Sequence, residues 1–283
     1  MGKKKKTIKS QEVGLEIGLI FFKYFLKTEY LHYGLFKDGL ETDVLNLAKA
    51  QENYAEMIFD AIPEGVQTIL DVGCGSGKTA QQLVARGYTV ECVSPSKLLN
   101  EYARNLLGDS APVHTAKFEE VGLDKKFDLV LFSESFQYIR IEDAMTHAMS
   151  YINPGGYIIV SDFFKTDAPG KSALGGGHKY AEWEEEKQKY PLKTLIERDI
   201  TKETAPTIDL VHTMTRDVIH PIWVLLQRLA ADRYPKLLKL FRWKFKKKLE
   251  KMENKHFKGE RNGANFIKYK KYMFYLFQVE KQA

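Results

Sequence analysis

The chain has 283 residues, 44% of them hydrophobic and 28% charged, and 43 lysines and arginines against 37 acidic residues give a net charge of +6. This is the composition of an ordinary globular protein that can bury a substantial core. It excludes a membrane-spanning class, since no apolar run approaches the roughly 18–20 residues that a bilayer requires. We expect no signal peptide, and two cysteines give no disulfide framework, so the sequence predicts a cytoplasmic protein.

The amino-terminal part is predicted to be a tail followed by helices. Residues 1–12 are rich in lysine and are expected to be a disordered basic tail. Residues 13–62 are expected to form two lid helices, because apolar residues recur at helical spacing over 13–33 and again over 43–62. Pro63 ends the second helix.

The next stretch, TILDVGCGSGKTAQQL (Thr68–Leu83), contains a β-rich run, a glycine-rich turn and the start of a helix. A phosphate-binding loop would need glycine at position 72, which is Val72, and a dinucleotide fingerprint would need glycine at position 78, which is Lys78. What remains is Asp71 at the end of the strand, followed by glycine at positions 73, 75 and 77. A carboxylate there would repel a pyrophosphate but suits an ammonium group or ribose hydroxyls. The pattern predicts a cationic nucleoside as the ligand.

Short strands then alternate with helices over a core domain at residues 63–202. The strands are predicted at Thr68–Val72, Thr89–Val93, Val113–Ala116, Phe127–Phe132, YIIVSDF and LKTLIERDI, and the helices at Lys78–Arg86, Ser96–Leu107, Ile141–Tyr151 and Tyr180–Lys189. This alternation predicts an α/β fold with a parallel, doubly wound sheet. Ligands of such sheets bind at the carboxyl ends of the strands, where the glycine turn lies.

The regular alternation of strands and helices ends after Asp162. Residues 203–262 are largely helical in pattern and are predicted to be a helical cap inserted before a closing strand at residues 263–283. A helical block between two late strands is typical of a cap over the ligand edge of the sheet.

Three motifs together resemble those of the class I S-adenosylmethionine-dependent methyltransferases. Asp71-x-Gly73-x-Gly75-x-Gly77 is similar to the first motif, FDLVLFSESFQYI to the fourth-strand motif, and INPGGYIIVSD to the fifth strand. LHYGLF before the core, and LIERDITKETAPTIDL before the cap, resemble the small-molecule branch with sarcosine/dimethylglycine, tocopherol and sterol methyltransferases and cyclopropane fatty-acid synthases. The resemblance implies an α/β, Rossmann-like, doubly wound seven-stranded sheet, mostly parallel with an antiparallel last strand, plus a helical cap. It also implies S-adenosyl-L-methionine as cofactor, S-adenosyl-L-homocysteine as product and a small-molecule methyl acceptor.

Carried over by position, the resemblance implies a cofactor-binding set. It consists of Tyr33, Asp71, Gly73, Cys74, Gly75, Gly77, Ser94, Pro95, Phe118, Glu119 and Ser133. The glycines would let the backbone approach the methionine and ribose, and Phe118 would stack on adenine. The chain departs from the family at Ser94, where an acid for the ribose is usual, and at Lys117, where many relatives have an aspartate. An alternative interpretation of Cys74 is that a small residue is needed in this tight turn.

Methyl transfer from a sulfonium depends mainly on alignment, and a base is needed only when the acceptor must lose a proton. The predicted catalytic residues are Glu134, Tyr33 and His32. Glu134 would orient an amine or hydroxyl or act as base, with a surface carboxylate as the alternative. Tyr33 would either hydrogen-bond the cofactor's carboxylate or pack on the core, and His32 is a further candidate base.

The predicted substrate-binding residues are Gln137, Tyr138 and Asp162, and helix capping is the alternative for Asp162. Gln137 and Tyr138 stand where the cyclopropane synthases have Glu-His, which disfavours cyclopropanation. The seven histidines show no metal-binding spacing, so no metal is expected. Neither the acceptor atom nor the oligomeric state follows from the sequence.

Two basic patches carry the positive charge. The segment Lys3–Lys9 has five lysines, and residues 233–262 have twelve lysines and arginines against three glutamates. Leu237, Phe241, Phe245, Leu249 and Met252 fall at helical spacing and form one apolar face among the lysines. One interpretation is a cap helix that packs on the sheet. The other is a peripheral contact with an anionic membrane through Lys3–Lys9 and residues 236–258, or an entrance for an amphipathic substrate.

Two rival functions stay open on sequence grounds. An RNA-modifying methyltransferase could use the basic patches as a phosphate track, although no RNA-binding module is appended and nucleic acid is the less favoured partner. A non-catalytic cofactor-binding scaffold is the second rival, because Ser94 and Lys117 depart from the family pattern.

Overall fold

The structure is a computed structural model that describes residues 18–170, 172–256 and 260–280. The predicted basic tail, with Lys3–Lys9, lies outside the described residues. The described part of the chain forms one seven-stranded sheet with helices on both faces.

The sheet is the predicted doubly wound one. Its strands are β1 (Thr68–Val72), β2 (Thr89–Val93), β3 (Val113–His114), β4 (Phe127–Ser133), β5 (Ile152–Lys165), β6 (Leu192–Asp199) and β7 (Lys270–Val279), in the order β3-β2-β1-β4-β5-β7-β6. Strands β1 to β5 pair in parallel, whereas β7 is antiparallel to both β5 and β6. The predicted antiparallel last strand is therefore confirmed. The order reverses between β1 and β4, which is where ligands of such sheets bind.

Six helices follow the predicted positions closely, namely Leu47–Asp60, Lys78–Ala85, Lys97–Leu107, Ile141–Tyr151, Tyr180–Glu186 and Thr201–Met214, and a seventh, Gly263–Tyr269, lies where the closing strand is predicted. Ser96 caps one of them, because its side chain accepts a hydrogen bond from the backbone N–H of Leu99. Buried residues of these helices and of the strands form two apolar clusters, one on each face of the sheet.

The amino-terminal lid differs from the predicted pair of helices. Residues 18–21 are α-helical and Phe22–Leu26 form a π turn, after which Lys27 takes a left-handed conformation with φ of 54°. Residues 28–37, the lid segment, then have no regular secondary structure, whereas the sequence pattern predicts helix as far as residue 33. A β-carbon on Gly34 would lie 2.6 Å from Cβ of Ala50, so the lid segment lies directly against the helix Leu47–Asp60.

The closing part of the chain begins with a helix instead of a strand. Asn262 caps Gly263–Tyr269, since its side chain accepts from the backbone N–H of Asn265. Strand β7 begins only at Lys270. The start of β7 therefore lies beside the carboxyl end of β5, with Lys270 paired to Lys165.

The cap ends in two helices, His220–Arg233 and Pro235–His256, which we call the cap hairpin. Among the side chains that the structure describes between residues 209 and 250, none is buried. The interpretation in which this basic helix packs on the sheet is therefore wrong for those residues. Apolar side chains such as Leu237 and Trp243 are 65% and 76% exposed. Over the described part of the chain, no helix has the length and apolarity to span a membrane.

Candidate active site

The three glycines of the turn after β1 have different surroundings. Gly73, Gly75 and Gly77 have φ of 82°, 56° and 82°, in the left-handed region that favours glycine. A β-carbon on Gly73 would lie 2.3 Å from Cβ of Ser135, and one on Gly77 would meet the neighbouring helix at 3.0 Å. A β-carbon on Gly75 would meet only Leu31 of the lid segment, at 3.5 Å. Gly73 and Gly77 thus permit close packing within the protein, whereas Gly75 faces the gap between the turn and the lid.

Asp71 is a buried carboxylate with an unused oxygen at the start of this turn. It is 2% exposed, and its Oδ2 has no hydrogen-bond partner in the described part of the chain. Burial raises the pKa of Asp71 to about 7, because the charged form has lost its hydration. A buried carboxylate oxygen without a donor fits a ligand that brings one, such as an ammonium group.

The lid segment is held over the turn by hydrogen bonds to three parts of the protein. The Ser76 hydroxyl donates to the backbone oxygen of Glu29 at 2.5 Å. The backbone N–H of Tyr33 donates to Oε1 of Glu134 at 2.7 Å, and that of Gly34 donates to Oγ1 of Thr207 at 2.9 Å. The lid therefore contacts the glycine turn, the end of β4 and the cap at once.

Glu134 follows β4 and is the centre of a buried polar network. Its φ is 56°, an uncommon conformation for a residue with a side chain. Its Oε1 accepts from the lid at Tyr33 and from the hydroxyl of Tyr272 in β7, both at 2.7 Å. The Tyr272 oxygen lies 2.9 Å from the hydroxyl of Tyr54, which lies 2.7 Å from Oγ of Ser161. Burial raises the pKa of Glu134 to about 8, and the charge of Asp162 adds to this rise.

Asp162, at the carboxyl end of β5, is 1% exposed and fully engaged within the protein. Its Oδ2 accepts from the backbone N–H of Gln137 at 2.9 Å, and its Oδ1 from Nε2 of Gln137 at 3.0 Å and the N–H of Phe163 at 2.8 Å. Burial raises the pKa of Asp162 to about 7. Asp162 therefore accepts from the backbone of the short turn Phe136–Tyr138, and both its predicted substrate contact and the helix-capping alternative stay predictions.

Gln137 and Lys270 hold a glycine loop beside Asp162. The Gln137 Oε1 accepts from the N–H of Gly177 at 3.1 Å. Lys270 is 1% exposed, and its ammonium donates to the carbonyl of Gly176 at 2.6 Å and that of Gly175 at 3.3 Å. Burial lowers the pKa of Lys270 to about 8. The predicted substrate residues Gln137 and Asp162 thus lie together, and Gln137 joins the carboxylate of Asp162 to this loop.

His32 and Tyr33 are both packed among aromatic rings. The His32 ring lies between Tyr30 and Tyr54, its Nδ1 is 2.8 Å from the backbone oxygen of Tyr33, and its Nε2 has no partner among the described residues. Burial lowers the pKa of His32 to about 4, so the ring is neutral at pH 7. The Tyr33 ring stacks on Phe163 at 5.9 Å, and burial raises the pKa of its phenol. Their catalytic roles stay predictions.

The other predicted cofactor residues line the carboxyl ends of neighbouring strands. Ser94 is buried, its Oγ accepts from the N–H of Ser96 at 3.3 Å, and Pro95 beside it is exposed. Ser133 lies 3.3 Å from the Tyr54 hydroxyl, and Cys74 is a buried free thiol. The cofactor-binding roles of these residues stay predictions.

Phe118 and Glu119 form a short turn after β3. Phe118 is 2% exposed, and its ring packs edge-on against Phe132 and His147 and beside Tyr151. Glu119 is half-buried, 3.8 Å from the ammonium of Lys117. Stacking of Phe118 on adenine therefore stays a prediction.

The last predicted substrate residue, Tyr138, is 63% exposed at the rim of the site. Within the described ranges, no three His, Cys, Asp or Glu side chains cluster as a metal ion requires. A groove of about 570 Å³ lies between residues 19–27 and the helix Lys97–Leu107, and none of the predicted site residues lines it.

Sequence reasoning missed the aromatic and basic residues that the closing strand brings to the site. Tyr272 and Lys270 alternate with Lys271 at the start of β7, so they face one side of the sheet. Tyr54 lies in the middle of the helix Leu47–Asp60. A polar residue at a position where the pattern calls for burial is the signal that could have identified Tyr272 and Lys270.

Comparisons with known proteins agree with this fold. Residues 70–160 match the family described as Methyltransferase domain. Malonyl-[acyl-carrier protein] O-methyltransferase 1 of Ilyobacter polytropus is 30% identical over 132 residues, which cover 41% of this chain and 48% of that protein. The chain spans about half the length of the curated relatives it matches.

Two solved structures show the same architecture over nearly the whole chain. The cyclopropane synthase MmaA2 of Mycobacterium tuberculosis has a TM-score of 0.67 at 16% identity and covers 97% of this chain and 100% of its own. The geranyl diphosphate C-methyltransferase of Streptomyces coelicolor A3(2), solved with S-adenosyl-L-homocysteine, has a TM-score of 0.63 at 14% identity and covers 95% and 98%. Residues 70–160 therefore match a methyltransferase domain, and the chain has the fold of these two structures. The resemblance drawn from the motifs is confirmed.

Proposed function

We propose that the protein transfers the methyl group of S-adenosylmethionine to a small-molecule acceptor. The observation that carries this proposal is Asp71, whose buried Oδ2 lacks a partner among the described residues, next to a turn in which Gly75 faces the lid. The residues fit the cofactor, because an ammonium group would supply the donor that Asp71 needs and Gly75 leaves room for close approach. When bound, the sulfonium supplies an activated methyl group. The chain's own residues orient the acceptor and exclude water through the lid segment.

Calorimetric titration of S-adenosylmethionine and S-adenosylhomocysteine into the full chain tests the cofactor site. We expect micromolar affinity for both compounds and its loss in Gly75→Val, where a side chain would enter the gap below Leu31. Unchanged affinity in Gly75→Val would place the cofactor elsewhere. Absence of binding in the parent protein would favour the scaffold alternative.

We further propose that the acceptor is lipophilic and is reached at an anionic membrane surface through the cap hairpin. Its exposed apolar side chains include Leu225, Leu229, Leu240, Phe241 and Trp243. The second helix of the cap hairpin, Pro235–His256, also exposes six lysines, at positions 236, 239, 244, 246, 247 and 248. Exposed apolar side chains beside clustered lysines fit the interface of a bilayer that contains anionic lipid. Each lysine near such a surface adds about 1 kcal/mol to the binding free energy.

Co-sedimentation with vesicles of phosphatidylserine and phosphatidylcholine, against phosphatidylcholine alone, tests the membrane contact. We expect pelleting only with the anionic vesicles, lost at high salt. Reversal to glutamate of Lys244, Lys246, Lys247 and Lys248 should abolish it. The matched control reverses Lys97, Lys126, Lys193 and Lys202, which are exposed elsewhere on the protein and change the net charge equally.

Trp243→Ser separates a membrane from RNA. Loss of the apolar side chain should weaken vesicle binding, whereas a phosphate track would depend on the lysines alone. Equal binding to both kinds of vesicle, or tight RNA binding that survives Trp243→Ser, would discard the membrane contact.

A further inference from the structure

The carboxyl group of Glu134 is held in place by β7, the strand farthest from it in sequence. The Tyr272 hydroxyl donates to Oε1 of Glu134 at 2.7 Å, and the backbone N–H of Tyr33 reaches the same oxygen at the same distance. The hydrogen bonds that the described residues make to this carboxyl both end on Oε1. Oε2 therefore remains the oxygen that can meet another partner.

Tyr272 is itself fixed from behind. Its side chain is fully buried, and its oxygen lies 2.9 Å from the hydroxyl of Tyr54, which is also fully buried. The Tyr54 hydroxyl is in turn 2.7 Å from Oγ of Ser161 on β5. The hydroxyls of Ser161 and Tyr54 thus orient the Tyr272 hydroxyl, which donates to Glu134. Hydrogen-bonded chains of this kind polarise their members cooperatively.

The charged and titratable groups that face Glu134 come from four elements. The lid supplies Tyr33, the helix Leu47–Asp60 supplies Tyr54, β7 supplies Tyr272, and β5 supplies Asp162. Asp162 raises the pKa of Glu134, and the hydrogen bonds from Tyr33 and Tyr272 lower it against the larger effect of burial. The ammonium of Lys270 acts on Asp162, and the positive charge of Arg261 acts on Tyr33.

We propose that Tyr272 is a positioning residue that presents Glu134 as the proton-accepting group of the site, for an acceptor that must lose a proton, namely a hydroxyl or an amine. This inference rests on the proposed methyl transfer. As the bond from the acceptor oxygen or nitrogen to the methyl carbon forms, the carbon–sulfur bond breaks, its electron pair stays on sulfur, and the acceptor's proton passes to the Glu134 carboxylate. A tertiary amine, which has no proton to lose, needs no such base.

Titration of Glu134 itself tests the inference without an acceptor. Protein labelled with ¹³C at the glutamate side-chain carboxyl and saturated with S-adenosylhomocysteine is titrated by NMR, and Glu134→Gln assigns the signal. Tyr272→Phe removes a hydrogen bond that favours the carboxylate, so we expect the Glu134 midpoint to rise by about one pH unit or more.

Tyr275→Phe is the matched control. Tyr275 is fully buried on the same strand, but its hydroxyl lies 3.1 Å from Glu184, away from the site. The same loss of a buried hydroxyl there should leave the Glu134 midpoint unchanged. If Tyr272→Phe does not fold, Tyr54→Phe carries the test, with a smaller rise expected because Tyr272 loses its orienting partner.

An ordinary glutamate midpoint in the parent protein would overturn the inference, as would equal midpoints in the Tyr272 and Tyr275 variants. Affinity for S-adenosylhomocysteine is measured on the same samples. If the parent protein does not bind S-adenosylhomocysteine, the proposed methyl transfer is refuted. If it binds but the Glu134 midpoint does not respond to Tyr272→Phe, only the role of Tyr272 and Glu134 is refuted.

Discussion

A β-carbon on Gly75 would lie 3.5 Å from Cδ1 of Leu31, so the space between the glycine turn and the lid segment admits one more carbon atom without a clash. The neighbouring Gly73 has no such space, since its β-carbon would lie 2.3 Å from Cβ of Ser135. Two glycines of one motif therefore serve different purposes. Gly73 lets the end of β1 pack against the segment after β4, whereas Gly75 keeps open the gap in which we place the cofactor.

The pair Gly73→Ala and Gly75→Ala should separate folding from binding. Both substitutions place a side chain at positive φ, which costs about 1–2 kcal/mol. Gly73→Ala adds a clash with Ser135, so its melting temperature should fall well below that of Gly75→Ala by thermal denaturation. Gly75→Ala should fold and lose affinity for S-adenosylhomocysteine in calorimetry. Equal melting temperatures for the two variants would contradict the assignment.

Much of the core could be predicted because strands buried on both faces and amphipathic helices have local patterns. All seven strands and the order of the core helices follow from runs such as FDLVLF and from turn residues such as Pro63. The ligand-binding role of Asp71, near the end of β1, could be predicted because a carboxylate in that position repels a pyrophosphate and suits an ammonium group.

The path of the lid and the contacts of the closing strand could not be predicted in the same way, because both depend on residues that are distant in sequence. Residues 28–33 have a helical pattern but form no helix, because Gly34 packs against Ala50 and Tyr33 bonds to Glu134, which are contacts distant in sequence. Tyr272 is 138 positions from Glu134, and only antiparallel pairing of β7 with β5 brings the two together. No local pattern encodes such a pairing.

Affinity for S-adenosylhomocysteine should rise with pH through the titration of Asp71. Without ligand, burial raises the pKa of Asp71 to about 7, so below that pH the carboxyl is protonated and must lose its proton to pair with an ammonium group. Between about pH 5.5 and pH 7 the affinity should increase by up to roughly tenfold per pH unit, as one linked proton requires. Calorimetry at several pH values measures this slope.

Asp71→Asn is the control for that slope. Glu134 and Asp162 also have raised pKa values and titrate nearby, so only the part of the slope that disappears in Asp71→Asn belongs to Asp71. Affinity should fall at neutral pH in the variant because the carboxylate is absent. An identical slope in both proteins would show that Asp71 does not meet the ligand's charge.

Glu134→Gln should stabilise the protein above neutral pH. The pKa of Glu134 is raised from 4.5 to about 8 in the folded chain, so the unfolded chain releases this proton first and stability declines between those values. Glutamine cannot ionise, and its Oε1 can still accept from Tyr33 and Tyr272. The melting temperature of the variant should exceed that of the parent by about 2 °C or more near pH 8 and match it near pH 4.5.

Although Glu134→Gln should raise the melting temperature, it should lower the rate of methyl transfer. If Glu134 takes the acceptor's proton, Glu134→Gln should lower the rate of methyl transfer by about 10²–10⁴-fold, and the parent rate should increase as pH rises towards 8. Radiolabelled methyl transfer measured across pH provides the profile. A variant that is both more stable and fully active would remove Glu134 from the reaction.

Lys270→Met should release the glycine loop without disturbing β7. The ammonium of Lys270 donates to the carbonyls of Gly175 and Gly176, and methionine fills a similar volume but leaves both carbonyls without that donor. Each lost bond to a charged donor is worth about 1.5–3 kcal/mol. Hydrogen exchange at the amide of Gly177 should therefore accelerate by about tenfold or more. Lys271→Met is the matched control, since Lys271 lies over the ring of Tyr180 and, among the residues that the structure describes, makes no hydrogen bond to the loop. Equal exchange at Gly177 in the two variants would mean that Gln137, whose Oε1 accepts from that amide, holds the loop by itself.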